Sequence, residues 1–378
     1  MMKLKLQIVL LAGTWAAIAL YQAIGTFFFT DEFYCHRAYE CARLRVQPRQ
    51  APFRPFFTWD RMSSGDLGHL AGVPALKKYR HQKFSTDEYG FRNPPGVLDK
   101  PCDVVLVGDS FAVGSQASDG EIFADLVRDQ AGLNIYNYSP FHIGTFRRDE
   151  RFLENRPRQI ILMYAERNLN PRVLHYPEKF NLFRPKKFTR DEVLPAPRPR
   201  PSLKSLSHSR LLAYHAEGLY KGFLHLVGLY EFPPAILCYN PQAEMFFFWE
   251  GGDNHVNPEY AIPPMEAAAD AIVKYRDEFK RRGSDLLVLI PPDKETVYHE
   301  LIPPMKDLNV NILLDRFYDR MEEAHIAHVR LHTVLEKYHA AHPDDLLFYP
   351  DDTHLTPLAQ QIIFDAVKDK LPCHAKPK

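Results

Sequence analysis

The chain of 378 residues carries no excess charge, with 47 Lys and Arg against 47 Asp and Glu. Nothing in that balance argues for nucleic acid or for a strongly charged bulk partner. Cysteine is sparse: Cys35, Cys41, Cys102, Cys238 and Cys373 have none of the spacings of a zinc site, and no other pattern calls for a metal or a cofactor. Glycine is scarce beside proline, 18 against 31, which predicts long ordered loops rather than flexible linkers. Internal repeats and low-complexity tracts are absent. What remains is an ordinary globular composition, 46% hydrophobic and 25% charged, enough for one large domain with an appendage or two modest domains.

One long apolar run is present. Gln7 to Phe29 has no formal charge and, at about 1.5 Å per helical residue, is long enough to cross a bilayer. Lys3 and Lys5 precede it, and Asp31 and Glu32 follow. That asymmetry places the N-terminus in the cytoplasm and the rest outside. Ala17-Ile18-Ala19 offers a weak signal-peptide cleavage site, but the run continues through Phe27-Phe28-Phe29, beyond a signal-peptide core. The expectation is an uncleaved anchor in residues 1–30. Outside the membrane, Cys35 with Cys41 and Cys102 with Cys373 are open either as disulfides or as plain thiols.

Residues 31–100 are polar and proline-rich and read as a membrane-proximal segment lying on the main domain. From Asp103 strands and helices alternate: strands at Val104–Val107, Asn134–Tyr138, Gln159–Tyr164, Leu286–Ile290 and Val329–Leu331. Helices are expected at Glu121–Gln130, Thr145–Asn155, Met265–Arg282, Asn311–Ala327 and Pro357–Lys370. Continuous apolar strands separated by helices predict a parallel sheet covered on both faces, over 101–372. Residues 170–262 interrupt the rhythm as an insertion. It holds a stiff proline link at Pro195–Pro201 and a helix over Leu203–Tyr230, expected to pack on its own domain rather than on a membrane surface. The run Phe246-Phe247-Phe248-Trp249 either fills core or lines a sugar-binding cleft.

Gly108-Asp109-Ser110 ends the first strand, and Asp351-Asp352-Thr353-His354 precedes the last helix. A serine hydroxyl needs an imidazole to take its proton, and the imidazole works best when a carboxylate fixes its tautomer. Ser110 and His354, with Asp351 or Asp352 as the acid, have the parts and order of a Ser-His-Asp triad.

These motifs resemble the SGNH (GDSL-type) hydrolase superfamily. Tyr89-Gly90-Phe91-Arg92-Asn93, Glu166-Arg167-Asn168-Leu169 and Pro291-Pro292-Asp293-Lys294 are similar to its periplasmic alginate O-acetyltransferase group. The resemblance spans about residues 85–372 apart from the insertion. It implies a three-layer, flavodoxin-like α/β domain with Ser110 as nucleophile and His354 as base. Superfamily members generally place the acid three residues before the histidine, at Asp351; the acetyltransferase group places it two before, at Asp352. The implied oxyanion donors are the serine N–H, Gly144 and a third-block residue. At that block the usual Gly-x-Asn-Asp is missing. Arg167, or Asn168 shifted by one residue, takes its place, unless Glu166 and Arg167 form a structural ion pair. The implied activity is acetyl transfer to, or ester hydrolysis on, hydroxyls of an extracytoplasmic polysaccharide, with Trp249 a candidate sugar contact and a membrane acyl carrier protein a candidate donor. A catalytically idle glycan-binding or assembly subunit is the alternative.

Overall fold

The computed structural model describes residues 2–28, 35–43, 51–193 and 211–372. The proline link, Cys373 and the first residues of the expected 203–230 helix lie outside them. Helix α1 (Met2–Phe28) covers the expected anchor. Among the described residues, no helix is long and apolar enough to cross a membrane.

Five parallel strands, β3 (Val104–Gly108), β4 (Ile135–Asn137), β5 (Gln159–Met163), β8 (Asp285–Leu289) and β9 (Ala327–Val329), form the central sheet in the order β4-β3-β5-β8-β9. Every residue of β3 and β5 is buried, which is why both read as unbroken apolar runs. Two apolar layers sandwich the sheet. One joins Val104, Leu106 and Ile161 to α5 (Phe123–Gln130) and α14 (Pro357–Val367). The other joins Val105, Val107 and Leu162 to α10 (Pro258–Arg281) and α12 (Ile312–Glu323). The chain order reverses at β3, so the crevice beside its C-terminal end is the place where such open sheets bind ligands.

The expected 145–155 helix is two short ones, α6 (Ile143–Phe146) and α7 (Glu150–Glu154), because Asp149 turns the chain between them and caps the second. Ahead of the central sheet the chain forms α2 (Ala38–Arg43), the antiparallel hairpin β1 (Thr58–Ser63) with β2 (Arg80–Ser85), and α3 (Asp66–Ala71) between them. Phe53, Trp59 and Phe84 close a small core there with Val113 of α4 (Ser110–Val113). Cys41 is buried in that same cluster, while Cys102 is a free, buried thiol. In the insertion, α8 (Leu211–Leu226) leads to the hairpin β6 (Ile236–Asn240) and β7 (Met245–Phe248), then α9 (Trp249–Val256). Phe246 and Phe247 are core, whereas Trp249 is 49% exposed.

Candidate active site

Gly108 lies so close to β5 that a Cβ on it would stand 1.8 Å from the Met163 carbonyl oxygen; only glycine allows the strand to turn there. Asp109 then caps α4, its carboxylate accepting the Phe111 N–H at 2.9 Å. The other oxygen accepts from Ala165 N at 2.8 Å and Asn168 Nδ2 at 2.6 Å, tying the nucleophile turn to the end of β5. On its far side α4 is held by the buried Arg92, whose guanidinium donates to the carbonyls of Val113, Gly114 and Ala117. The Tyr89–Asn93 motif is thus a brace for the serine helix.

Ser110 Oγ lies 2.8 Å from His354 Nε2, and His354 Nδ1 lies 2.5 Å from Asp352 Oδ1. Of the two candidate acids, it is Asp352 that meets the imidazole. Burial would raise the Asp352 carboxyl, but the charge of His354 and its hydrogen bond, with Arg37 and Arg80 beyond, hold it far below the usual carboxylate range. Asp351 faces away. Its oxygens accept from Gly65 N at 2.8 Å, Lys78 N at 3.0 Å and Arg80 Nη1 at 2.8 Å. Gly65 is forced by this contact, since a Cβ there would sit 1.9 Å from the Asp351 carbonyl oxygen.

Three residues around the acid escaped the sequence reading. The second oxygen of Asp352 accepts from Asp66 N at 2.7 Å and Gln116 Nε2 at 2.8 Å, with Arg37 Nη1 at 3.9 Å. Arg37 also reaches Asp66 Oδ2 at 3.2 Å, and Asp66 takes the Thr353 hydroxyl at 2.9 Å. No local pattern signals these partners, because each is brought in from a distant stretch of chain. Among the described residues, Asp66, Asp352 and His354 also have the spacing of a metal-ligand set. Their atoms are engaged with one another, Arg37 and Thr353, as an acid–base pair requires.

The remaining candidates fall in different places. Gly144, in α6, is not among the residues lining the cavity beside Ser110, whereas Pro140, Phe141 and His142 are. Arg167 does not pair with Glu166. Its guanidinium is bound to the buried Asp293, and it lies over the Phe111 ring at 5.1 Å. Asn168 lines the Ser110 cavity, a space of about 420 Å³ to which Tyr39 and Arg43 of α2 also contribute. Pro291–Lys294 acts as a clamp: Asp293 holds Arg167, and Lys294 Nζ donates to the carbonyls of Tyr349, Pro350 and Asp352 at 2.8, 2.9 and 3.2 Å.

Next to the site lies a buried ionisable cluster of Glu166, Asp293, Lys294 and Glu295. Burial pushes Glu166 up to about 7 and Glu295 up to about 7, and Lys294 down to about 8. The Glu166 carboxyl accepts from Thr296 Oγ1 at 2.6 Å and Asp293 N at 3.0 Å. Its folded value exceeds its ordinary 4.5, so its contribution to stability is complete below that value and is lost as pH rises through about 7. Denaturant curves of wild type and Glu166→Gln, taken at about pH 5 and about pH 8, should therefore diverge, the wild type losing about 1–3 kcal/mol relative to the variant. Parallel behaviour at both pH values would contradict a neutral, buried Glu166.

Residues 246–376 match the family model described as SGNH hydrolase-like domain, acetyltransferase AlgX. The matched stretch contains Asp352 and His354 and begins after Ser110. No curated protein matches the chain. Over residues 246–376 the chain is therefore similar to an SGNH hydrolase-like domain of the AlgX kind.

Proposed function

We propose that the protein is a membrane-tethered, extracytoplasmic serine acyltransferase or esterase. It moves acetyl to or from hydroxyls of a cell-surface polysaccharide through an acyl-enzyme on Ser110. The observation that carries this reading is the relay from Ser110 Oγ through His354 to Asp352, at 2.8 and 2.5 Å. His354 takes the hydroxyl proton as Ser110 attacks the donor carbonyl, and returns it to the departing group. Asp352 fixes the imidazole tautomer and stabilises the imidazolium. The Ser110 N–H and the Asn168 carboxamide are the proposed oxyanion donors, Arg167 being committed to Asp293. A sugar hydroxyl or water then releases the acyl group; which of them attacks depends on how well the cavity excludes water. The donor would be an acyl carrier of membrane origin.

The tether is α1. Val9, Leu10 and Leu11, successive residues that point in different directions around the helix, are all more than 60% exposed, as are Trp15 and Leu20. Such a helix is clothed by lipid more readily than by water. The test of the activity is mass spectrometry of the full-length protein in detergent after incubation with an activated acetyl ester. A single acetyl adduct on the Ser110 peptide is expected; its absence with every donor tried would favour an idle, glycan-binding role.

Trp249 is the proposed acceptor contact. Behind it Glu250, Asp253, Asn254, Asn257 and Tyr260 line a cavity of about 400 Å³, which shares Asn168 and Val173 with the Ser110 cavity. Trp249→Ala should lower transfer to polymer by up to about tenfold, the scale of one aromatic contact, and leave hydrolysis of a small acetyl ester and the melting curve nearly unchanged. Parallel loss of both activities with a lowered melting temperature would instead make Trp249 a structural anchor.

A further inference from the structure

Among the described side chains of helix α8 none is fully buried. Gly218 and Gly222 face Pro74, where added Cβ atoms would sit 3.7 and 3.9 Å from the proline ring. Lys221 lies beside them and pairs with Glu217 at 2.6 Å. The opposite side carries Leu219, Phe223 and Leu226, 77%, 60% and 83% exposed, with Tyr220, Val227 and Leu229 also exposed. At about 100° per residue, positions 219, 223, 226 and 227 form one stripe. The helix does meet its own domain, through Pro74, but this stripe takes no part in that contact.

A contiguous exposed apolar surface of this kind marks an interaction site, and its neighbour identifies the occupant. Helix α8 packs beside α1, with the Tyr21 and His215 rings 6.3 Å apart. Its stripe thereby continues the apolar surface of a helix whose side chains are exposed on all sides. We infer that α8 lies in the interfacial layer of the bilayer that α1 enters, with Leu219, Phe223 and Leu226 among the acyl chains. An amphipathic helix lying in the plane of the interface has this arrangement of one apolar face and one polar face. It is fixed to the domain through Pro74, and Tyr230 at its end donates its hydroxyl to the Ala71 carbonyl of α3. It thus sets how the domain sits on the membrane, where a tether alone would let it rotate. This rests on the reading of α1 as the anchor.

The test uses the full-length chain reconstituted in phospholipid vesicles whose acyl chains carry bromine, which quenches nearby tryptophan. Leu226→Trp adds one tryptophan to the native three, and its emission is read by difference from the parent. Ala267→Trp, at an exposed site on helix α10, serves as the water-facing control, and Trp15→Phe gives the Trp15 share. Acetylation of Ser110 checks that each variant is folded. The expected result is quenching of the residue-226 emission at least as strong as that of Trp15, with none at 267. Quenching of Trp15 without quenching at 226 overturns the inference and leaves the anchor standing. In that case a blue-shifted, concentration-dependent emission would assign the stripe to a second copy of the chain, and a red, water-like emission to solvent. If Trp15 itself escapes quenching, the anchor reading fails and takes this inference with it.

Discussion

Ser110→Ala should leave a folded protein that accumulates no acetyl adduct, with turnover reduced by about 10⁴–10⁶-fold. The expected loss is this large because the hydroxyl is the atom that bonds to the acyl group, and neither His354 nor the cavity replaces it. The fold should be almost indifferent. Ser110 is only partly buried, its hydroxyl bonds to His354 at 2.8 Å, and the turn is built by Gly108, Asp109 and Arg92. Two measurements on one sample check this: intact mass after incubation with the activated ester, and the thermal transition. A variant that melts well below wild type would make Ser110 a structural turn residue. A variant that still takes up acetyl would move the nucleophile elsewhere.

The second large effect separates neighbouring aspartates. Asp352→Asn should cut turnover by about 10⁴-fold, since an amide at the Nδ1 side of His354 no longer favours the tautomer that can accept the serine proton. Asp351→Asn should act on a different observable. Its carboxylate neutralises Arg80 and accepts two backbone N–H groups, so losing the charge leaves a largely buried guanidinium without its partner, at about 3–5 kcal/mol of stability. The expected pattern is thus crossed: Asp352→Asn folded and slow, Asp351→Asn unstable but active where it remains folded. Equal effects of both substitutions on turnover would mean that neither residue orients the imidazole.

The parallel sheet was legible because β3, β5 and β8 are buried on both faces and read as unbroken apolar runs. Ser110 and His354 were legible because each motif combines its chemistry with a strand end or a helix start. The choice between Asp351 and Asp352 was not. A turn alternates its side chains, and which one faces the imidazole depends on Gly65 and Arg80, some 270 residues away in the chain. Arg37, Asp66 and Gln116 are invisible for the same reason. Helix α8 shows another limit: periodicity identifies an apolar face but does not say whether protein or something else covers it.

If α1 is the proposed tether, the position of Arg37 has a consequence for how the domain could be released from the membrane. Only residues 29–36 separate the end of α1 from the guanidinium beside Asp352. A protease cutting ahead of Cys35 would shed a domain that keeps its acid oriented. One cutting between Arg43 and Ala51 would sever α2, with Arg37, Tyr39 and Arg43, from the body that holds Ser110. Shedding at the first place would liberate an active enzyme, and shedding at the second would retire it. A soluble fragment begun at residue 101, where the strand–helix alternation starts, would retain all three triad residues and lose Arg37, Gly65, Asp66, Arg80 and Arg92 at once.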